Sequence, residues 1–210
     1  MFGCSDDKKN DLTRNNLNGN VKSTNEVSFE AVEKFEKITK GSRTDKYRYE
    51  TFKEYDDNGN SIEQKSYNSD GELLFKYIYE HDDNGNSIEQ NRYNSDGELD
   101  EKWTSKYDDK GNEIKSNLYN SDGELEDKYT FEYDYKGNMI EMNWSRGTLT
   151  FEYDDKGNIN EENYYNSDGE LEDKKTYEYQ FDDNKNWIKK IIVKDDKATF
   201  IIEREIEYYD

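Results

Sequence analysis

A 26-residue unit recurs through the middle of the chain with its turn residues intact, and no other feature restricts the fold as strongly. Aligned on the opening aromatic, the copies run YDDNGNSIEQKSYNSDGELLFKYIYE from Tyr55, HDDNGNSIEQNRYNSDGELDEKWTSK from His81 and YDDKGNEIKSNLYNSDGELEDKYTFE from Tyr107. A shortened 20-residue copy begins at Tyr133, a 28-residue copy at Tyr153, and the start of a further one, FDDNKNWIKK, at Phe181. Self-similarity at a fixed period means that each unit covers its apolar surface by stacking on its neighbours.

Two turn signals punctuate each unit. The first is DDNG or DDKG, as in Asp56 to Gly59, Asp82 to Gly85, Asp108 to Gly111 and Asp154 to Gly157. The second is NSDG, as in Asn68 to Gly71, Asn94 to Gly97, Asn120 to Gly123 and Asn166 to Gly169. Asp or Asn in first place caps the turn's own backbone, and Gly in fourth place takes a left-handed conformation without steric cost. This is the chemistry of a type I turn followed by a glycine bulge, a common hairpin connection. The chain has no proline to interrupt a ladder.

Runs of about seven or eight residues lie between the turns, the usual length of a strand. Leu73, Phe75, Tyr77 and Tyr79 alternate with Leu74, Lys76, Ile78 and Glu80; Leu125, Asp127, Tyr129, Phe131 and Tyr133 alternate with Glu126, Lys128, Thr130 and Glu132. Period-two alternation of this kind marks a half-buried strand. Ile62, Ile88, Ile114 and Ile140 recur in the first strand of each unit. In the fifth unit Ile159 and Asn160 exchange places, and two extra residues before Phe181 predict a local bulge.

Composition pulls against order: Leu, Ile, Val and Phe total 35 of 210 residues and the net charge is −21. Periodicity overrides it, because 31 of the 63 hydrophobic residues are aromatic, 19 of them Tyr, and they recur at fixed places. With so few aliphatics a thick two-layer core is excluded. The expected fold is all-β: a single long, twisted antiparallel sheet of tandem β-hairpins, roughly 14 strands, open or partly curled. Residues 20–40 and 188–209 lack the unit and are expected to cap its two ends, with any helix confined to Glu30 to Lys40.

The N-terminus carries a second signal. Phe2-Gly3-Cys4 resembles the end of a bacterial lipobox, where a lipoprotein precursor is cut before its cysteine, and Cys4 is the only cysteine. The Ser-Asp-Asp that follows resembles an acidic export signal of Gram-negative surface lipoproteins. Residues 1–20 are therefore expected to form a lipid-anchor cysteine and a flexible tether, and residues 21–210 the repeat domain. No stretch approaches the roughly 20 apolar residues of a membrane-spanning helix, so membrane contact is expected only through lipid on Cys4. The acidic balance excludes nucleic acid as a partner, because affinity there comes from Lys and Arg neutralising phosphates.

Candidate chemistry is sparse. His81, the only histidine, fills the aromatic slot that Tyr or Phe holds in other copies. The Asp/Asn/Gly turns supply only the first few ligands of a calcium loop and are explained by turn geometry, so neither metal nor cofactor is expected. No tuned acid and base stand out, so no enzyme is expected. The candidate ligand-binding residues are aromatic: Trp103, Trp144 and Trp187 with Tyr67, Tyr93, Tyr119 and Tyr165, expected to form rows along the sheet. Such rows serve either as the core of a sheet short of aliphatics or as a platform for a sugar chain or a protein surface.

The unit also resembles the YD repeat of Rhs-type proteins, through Tyr55-Asp56…Gly59, Tyr107-Asp108…Gly111, Tyr133-Asp134…Gly137 and Tyr153-Asp154…Gly157. The resemblance spans about residues 47–190. It implies hairpins in a spiralling sheet, and binding or scaffolding rather than catalysis. Two functions are compatible with these readings. One is a lipid-anchored outer-membrane or cell-surface protein of a Gram-negative bacterium that binds a glycan or protein. The other is a soluble acidic module, such as an immunity protein that neutralises a basic toxin.

Overall fold

The computed structural model describes residues 9–35 and 37–209. One short helix, α1 (Asp11–Arg14), precedes fifteen strands. The first three strands are β1 (Val21–Lys34), β2 (Lys37–Arg43) and β3 (Glu50–Tyr55). The repeats supply β4 (Ser61–Tyr67), β5 (Leu73–His81), β6 (Ser87–Asn94), β7 (Leu99–Tyr107), β8 (Glu113–Asn120) and β9 (Leu125–Tyr133). They continue as β10 (Met139–Trp144), β11 (Gly147–Tyr153), β12 (Ile159–Asn166), β13 (Leu171–Phe181), β14 (Trp187–Lys194) and β15 (Lys197–Tyr208).

Each turn works as its residues dictate. In the unit from His81, the Gly85 amide donates to the Asp82 carbonyl at 3.0 Å and the Asp82 amide to the Asn86 carbonyl at 2.9 Å. Asp82 Oδ1 accepts from the amides of Asn84 and Asn86. Gly85 sits at φ +77, where a Cβ would be strained. The NSDG turns repeat the pattern, with Gly97 at φ +84.

The expected open sheet is corrected by one pairing. Strands follow chain order from β3 to β15, β1 lies beside β3, and β15 pairs antiparallel with β1 from Val21↔Tyr208 to Glu30↔Phe200. The sheet is thus a closed 14-stranded antiparallel barrel, with β2 an outlying strand on the far part of β1. Closure has a local cause. The register slips at both ends of the repeat hairpins, for instance between Glu80 and His81 and between Arg92 and Tyr93. Each slip is a bulge that bends its strand and raises the twist. Repeated around the sheet, they curl it until the N-terminal flank, expected to be a cap, becomes the closing strand. The fifth and sixth units carry the same slip at Gln180/Phe181, so the bulge foreseen there is general.

Two further expectations are corrected. Glu30 to Lys40, reserved for any helix, lies in and between β1 and β2. The segment read as a flexible tether is docked against the barrel from residue 9 onward, and its Leu12 and Leu17 form a buried cluster with Val21 and Tyr55. A second cluster joins Trp187, Ile192 and Ile202, with Tyr47, Tyr177, Tyr179, Phe181 and Phe200 packed around it. A 14-stranded barrel is wider than its own side chains fill, and these two clusters are where large rings and inserted chain close the gap.

Candidate functional site: the barrel lumen

The wall has two unlike faces. Lys53, Gln64, Ser66, Tyr77, Phe131 and Tyr133 line the lumen, and alternation sends their neighbours outward. The outward side chains are charged across mid-strand: Lys65 and Lys76 flank Glu63, Lys102 pairs with Glu89, and Lys174 pairs with Glu161 at 2.7 Å. A membrane-spanning barrel presents an apolar band at that height, where Lys costs about 2–4 kcal/mol. The chemistry of this wall suits water.

One end of the lumen is closed by the N-terminal segment, which reads the repeat directly. The fifth residue of the first turn is Asn in every unit, and four of these asparagines, Asn86, Asn112, Asn158 and Asn186, bond residues 9–18. Lys9 Nζ donates to Asn112 Oδ1 at 2.7 Å, Arg14 Nη2 to Asn86 Oδ1 at 2.5 Å, and Asn16 Nδ2 to Asn158 Oδ1 at 3.1 Å. Asn186, fully buried, accepts from the Asn18 amide at 2.7 Å and returns a bond to the Asn18 carbonyl. Arg14 also donates to the carbonyls of Gly85 and Gly111. Asp11 accepts from the Ser61 amide and lies 3.0 Å from His81 Nε2. His81 therefore meets the plug and is more than a packing substitute.

Beneath the plug lies a ring of tyrosines, three of them opening residues of their units and the fourth, Tyr179, two residues before Phe181. The hydroxyls of Tyr107, Tyr133, Tyr153 and Tyr179 donate to the carbonyls of Ser87, Glu113, Met139 and Ile159 at 2.7 to 2.9 Å. Burial pushes the Tyr153 phenol up to about 12, which keeps it a donor at any physiological pH.

The lumen encloses a cavity of about 1030 Å³. Chain from residues 45 to 49 folds into it: Arg48 pairs with Glu26, Tyr47 stacks on Phe200 at 5.2 Å, and Tyr49 meets Phe75 edge-on at 5.7 Å. Glu26 is held between Arg48 and Arg204, whose Nε and Nη2 lie 2.9 and 2.7 Å from its carboxylate. Burial alone would raise the Glu26 carboxyl, but Arg48, Arg204 and Lys190 override it and bring it down to about 2. Burial lowers Lys190 to about 8 and lowers Lys53 too. Their ammonium groups rest on rings: Lys53 on Tyr55 and Tyr79, Lys190 on Tyr177 and Trp187.

The aromatic candidates separate by face. Trp103, Tyr129, Trp144 and Tyr164 form a continuous ladder on the inward face, with centroid separations of 5.0, 6.3 and 5.7 Å. Tyr129 precedes Phe131 and Tyr133 of the cavity wall on the same strand face, so the ladder lies beyond the cavity, on the NSDG side of it. Trp187 lies apart from it, 8 % exposed, beneath the guanidinium of Arg204. Tyr67, Tyr93, Tyr119 and Tyr165 alternate with inward Ser66, Arg92, Leu118 and Tyr164 and lie on the outer wall. The single set of rows expected from the sequence is therefore two sets on opposite faces. Tyr129 and Tyr164, and the charged group of Glu26, Arg48, Lys53, Lys190 and Arg204, were not among the candidates. Cys4 lies outside the described residues.

No protein-family model and no curated protein matches the chain. Among solved structures it is similar to a porin-like protein from Bacteroides uniformis, at 10 % identity and a TM-score of 0.53, over 89 % of this chain and 96 % of that one. The likeness is one of fold, a closed antiparallel β-barrel. A porin-like protein from Bacteroides vulgatus aligns over 90 % of this chain at 12 % identity, with a TM-score of 0.32. The Photorhabdus luminescens Tc holotoxin pore aligns over 73 % of this chain but 9 % of its own, at 15 % identity and a TM-score of 0.32. The closed sheet and the likeness to the Bacteroides uniformis protein correct the assignment to the YD-repeat, Rhs-type family. The similarity that spans both chains is to a closed barrel, and the spiralling sheet that the family implied is absent from the described residues.

Proposed function

We propose that this protein is a non-catalytic binding barrel at the outer membrane or cell surface of a Gram-negative bacterium, and that it holds a glycan chain in its lumen. The observation that carries the reading is the ladder Trp103–Tyr129–Trp144–Tyr164 on an inward face, its last three rings near-parallel and Trp103 tilted by 44° to Tyr129. Flat rings in series suit the apolar faces of successive sugars. Their place inside a barrel favours a slender chain over the broad surface of a folded protein. The outer-membrane setting draws on the fold likeness to the Bacteroides uniformis porin-like protein. The charged outer wall favours a barrel that stands in water, attached through lipid on Cys4, over one that crosses the bilayer.

Tryptophan fluorescence tests it. Titration with neutral and acidic tetrasaccharides should shield Trp103 and Trp144 from a small neutral quencher, and Trp144→Ala should weaken binding by roughly tenfold or more, the effect of losing one stacked ring. A panel of tetrasaccharides that leaves quenching unchanged defeats the reading.

A further inference from the structure

A chain with a net charge of −21 encloses a cationic cavity. Seven Lys or Arg side chains line the cavity against three acids, Glu26, Asp45 and Glu113. Chance distribution of an acidic composition would give the opposite balance. Among those cations, Arg48 and Arg204 are committed to Glu26, and Lys46 to Glu30 at 2.8 Å. Lys53 and Lys190 have no carboxylate within ion-pairing distance among the described residues; only the ring faces already named hold them in place. Arg204 is 9 % exposed, and its buried Nη1 has no acceptor either.

Half-buried ammonium groups without a carboxylate partner are costly, and a fold carries them where something pairs with them in use. Two alternatives fail. As structural elements, Lys53 and Lys190 would be expected to close on the nearest carboxylates, yet Glu26 is filled by two arginines, Asp11 by Ser61, Arg14 and His81, and Glu162 by Lys175 and Tyr177. As solvated surface they would need bulk water, whereas both lie inside the wall on a cavity that chain enters from both ends. Arg48, with 48 % of its side chain accessible, marks room for a ligand beside them.

We infer that the cavity is an anion site, and that the ligand is an acidic glycan whose carboxylates sit between Lys53 and Lys190 while its rings lie on the ladder. This rests on the reading of the lumen as a glycan site and narrows its ligand class. A carboxylate there would meet two ammonium groups already oriented by rings, in a lumen where screening by salt is weaker than at the surface.

Calorimetric titration of the full chain with tetragalacturonic acid and with uncharged cellotetraose at pH 7 separates the two claims. Two charge-assisted contacts predict that the acidic sugar binds about ten- to a hundredfold tighter. Lys53→Met with Lys190→Met should bring it down to the level of cellotetraose and leave cellotetraose unchanged. Equal affinities in the unaltered protein overturn the anion site and leave the ladder reading standing. Binding of neither sugar overturns the glycan reading and this inference with it. Should the double variant fold poorly, reductive methylation of the unaltered protein gives an NMR signal for each lysine. The Lys53 and Lys190 signals should move with tetragalacturonic acid and stay with cellotetraose; signals that ignore both sugars count against the site.

Discussion

Replacing Arg14 by Met tests whether the N-terminal plug is part of the folded barrel's stability. The guanidinium donates to the Gly85 carbonyl at 3.1 Å, to Asn86 Oδ1 at 2.5 Å and to the Gly111 carbonyl at 3.3 Å. It also pairs with Asp11 at 3.1 Å and lies 5.0 Å from the centre of the Tyr107 ring. Hydrogen bonds from a charged donor contribute about 1.5–3 kcal/mol each, and those at 3.3 Å belong at the low end. Met keeps much of the stem over Tyr107, and lumen water can reach part of the vacated acceptors. The net loss should be about 3 kcal/mol rather than the sum of the contacts.

For a domain of this size, that loss lowers the melting temperature by roughly 6–12 °C. Thermal unfolding followed by far-UV circular dichroism reads it directly. Lys22→Met is the control, because Lys22 pairs with Glu207 on the open surface and should leave the melting temperature where it was. If Arg14→Met melts with the control, the plug is a loose appendage, and the bonds between residues 9–18 and the asparagine ring do not hold in solution.

Other outcomes follow from the same geometry. Gly97→Ala should cost about 1 kcal/mol, since its φ is +84 but no atom lies within 4 Å of the added Cβ. Gly147→Ala should be far worse, because there the Cβ would come 2.1 Å from the Tyr165 carbonyl oxygen; equal melting temperatures for the two variants contradict the hairpin described. Glu26 has a folded pKa of about 2 against an ordinary 4.5, so its contribution is complete above pH 4.5 and disappears as pH falls towards 2. Glu26→Gln should therefore be less stable at pH 7 and lose less between pH 4.5 and 2, which acid titration of the melting temperature checks. Expressed from its natural precursor in a lipoprotein-processing bacterium, the protein should partition into detergent, and Cys4→Ser should leave it in the aqueous phase. An unmodified Cys4 in membrane-bound protein, read by mass spectrometry, rules out the lipid anchor.

Much of the strand order was legible because the turns are chemically explicit. Asp or Asn first and Gly fourth settle where the chain reverses, and consecutive reversals leave neighbours in chain order. Closure was not legible, because it depends on a sum. One bulge per turn is a small bend, and only the number of units decides whether the last strand meets the first. Nor does composition reveal the plug. Residues 9–18 have the polar look of a tether because what they bind is itself polar, a ring of turn carbonyls and asparagines.

The faces of the candidate rings were less legible, through parity. Alternation along β9 puts Leu125 with Tyr129 and Phe131, yet Leu125 is 46 % exposed, because the register slips between Leu118 and Tyr119 across from it. Tyr93 and Trp103 part by plain alternation: Trp103 pairs with inward Gln90, three residues from Tyr93, which lies outside. A reading that carries period-two alternation through a bulge assigns half the residues beyond it to the wrong face. The charged group was hidden for a related reason. Glu26, Arg48 and Arg204 come from the flanks, where no repeat fixes a phase, and Lys53 and Lys190 lie just before the first unit and in the partial last one, where the other units hold other residue types. Only closure brings them together, when β1 meets β15 and Glu26 meets Arg204. Reversing either partner of that pair should thus act on the seam of the barrel as well as on its cavity. Arg204→Glu would place two carboxylates across the closing strands, and Glu26→Arg with it would restore an opposite pair. Recovery of the melting temperature in the double variant supports a closed wall in solution; two independent, additive losses would mean that β1 and β15 do not meet there.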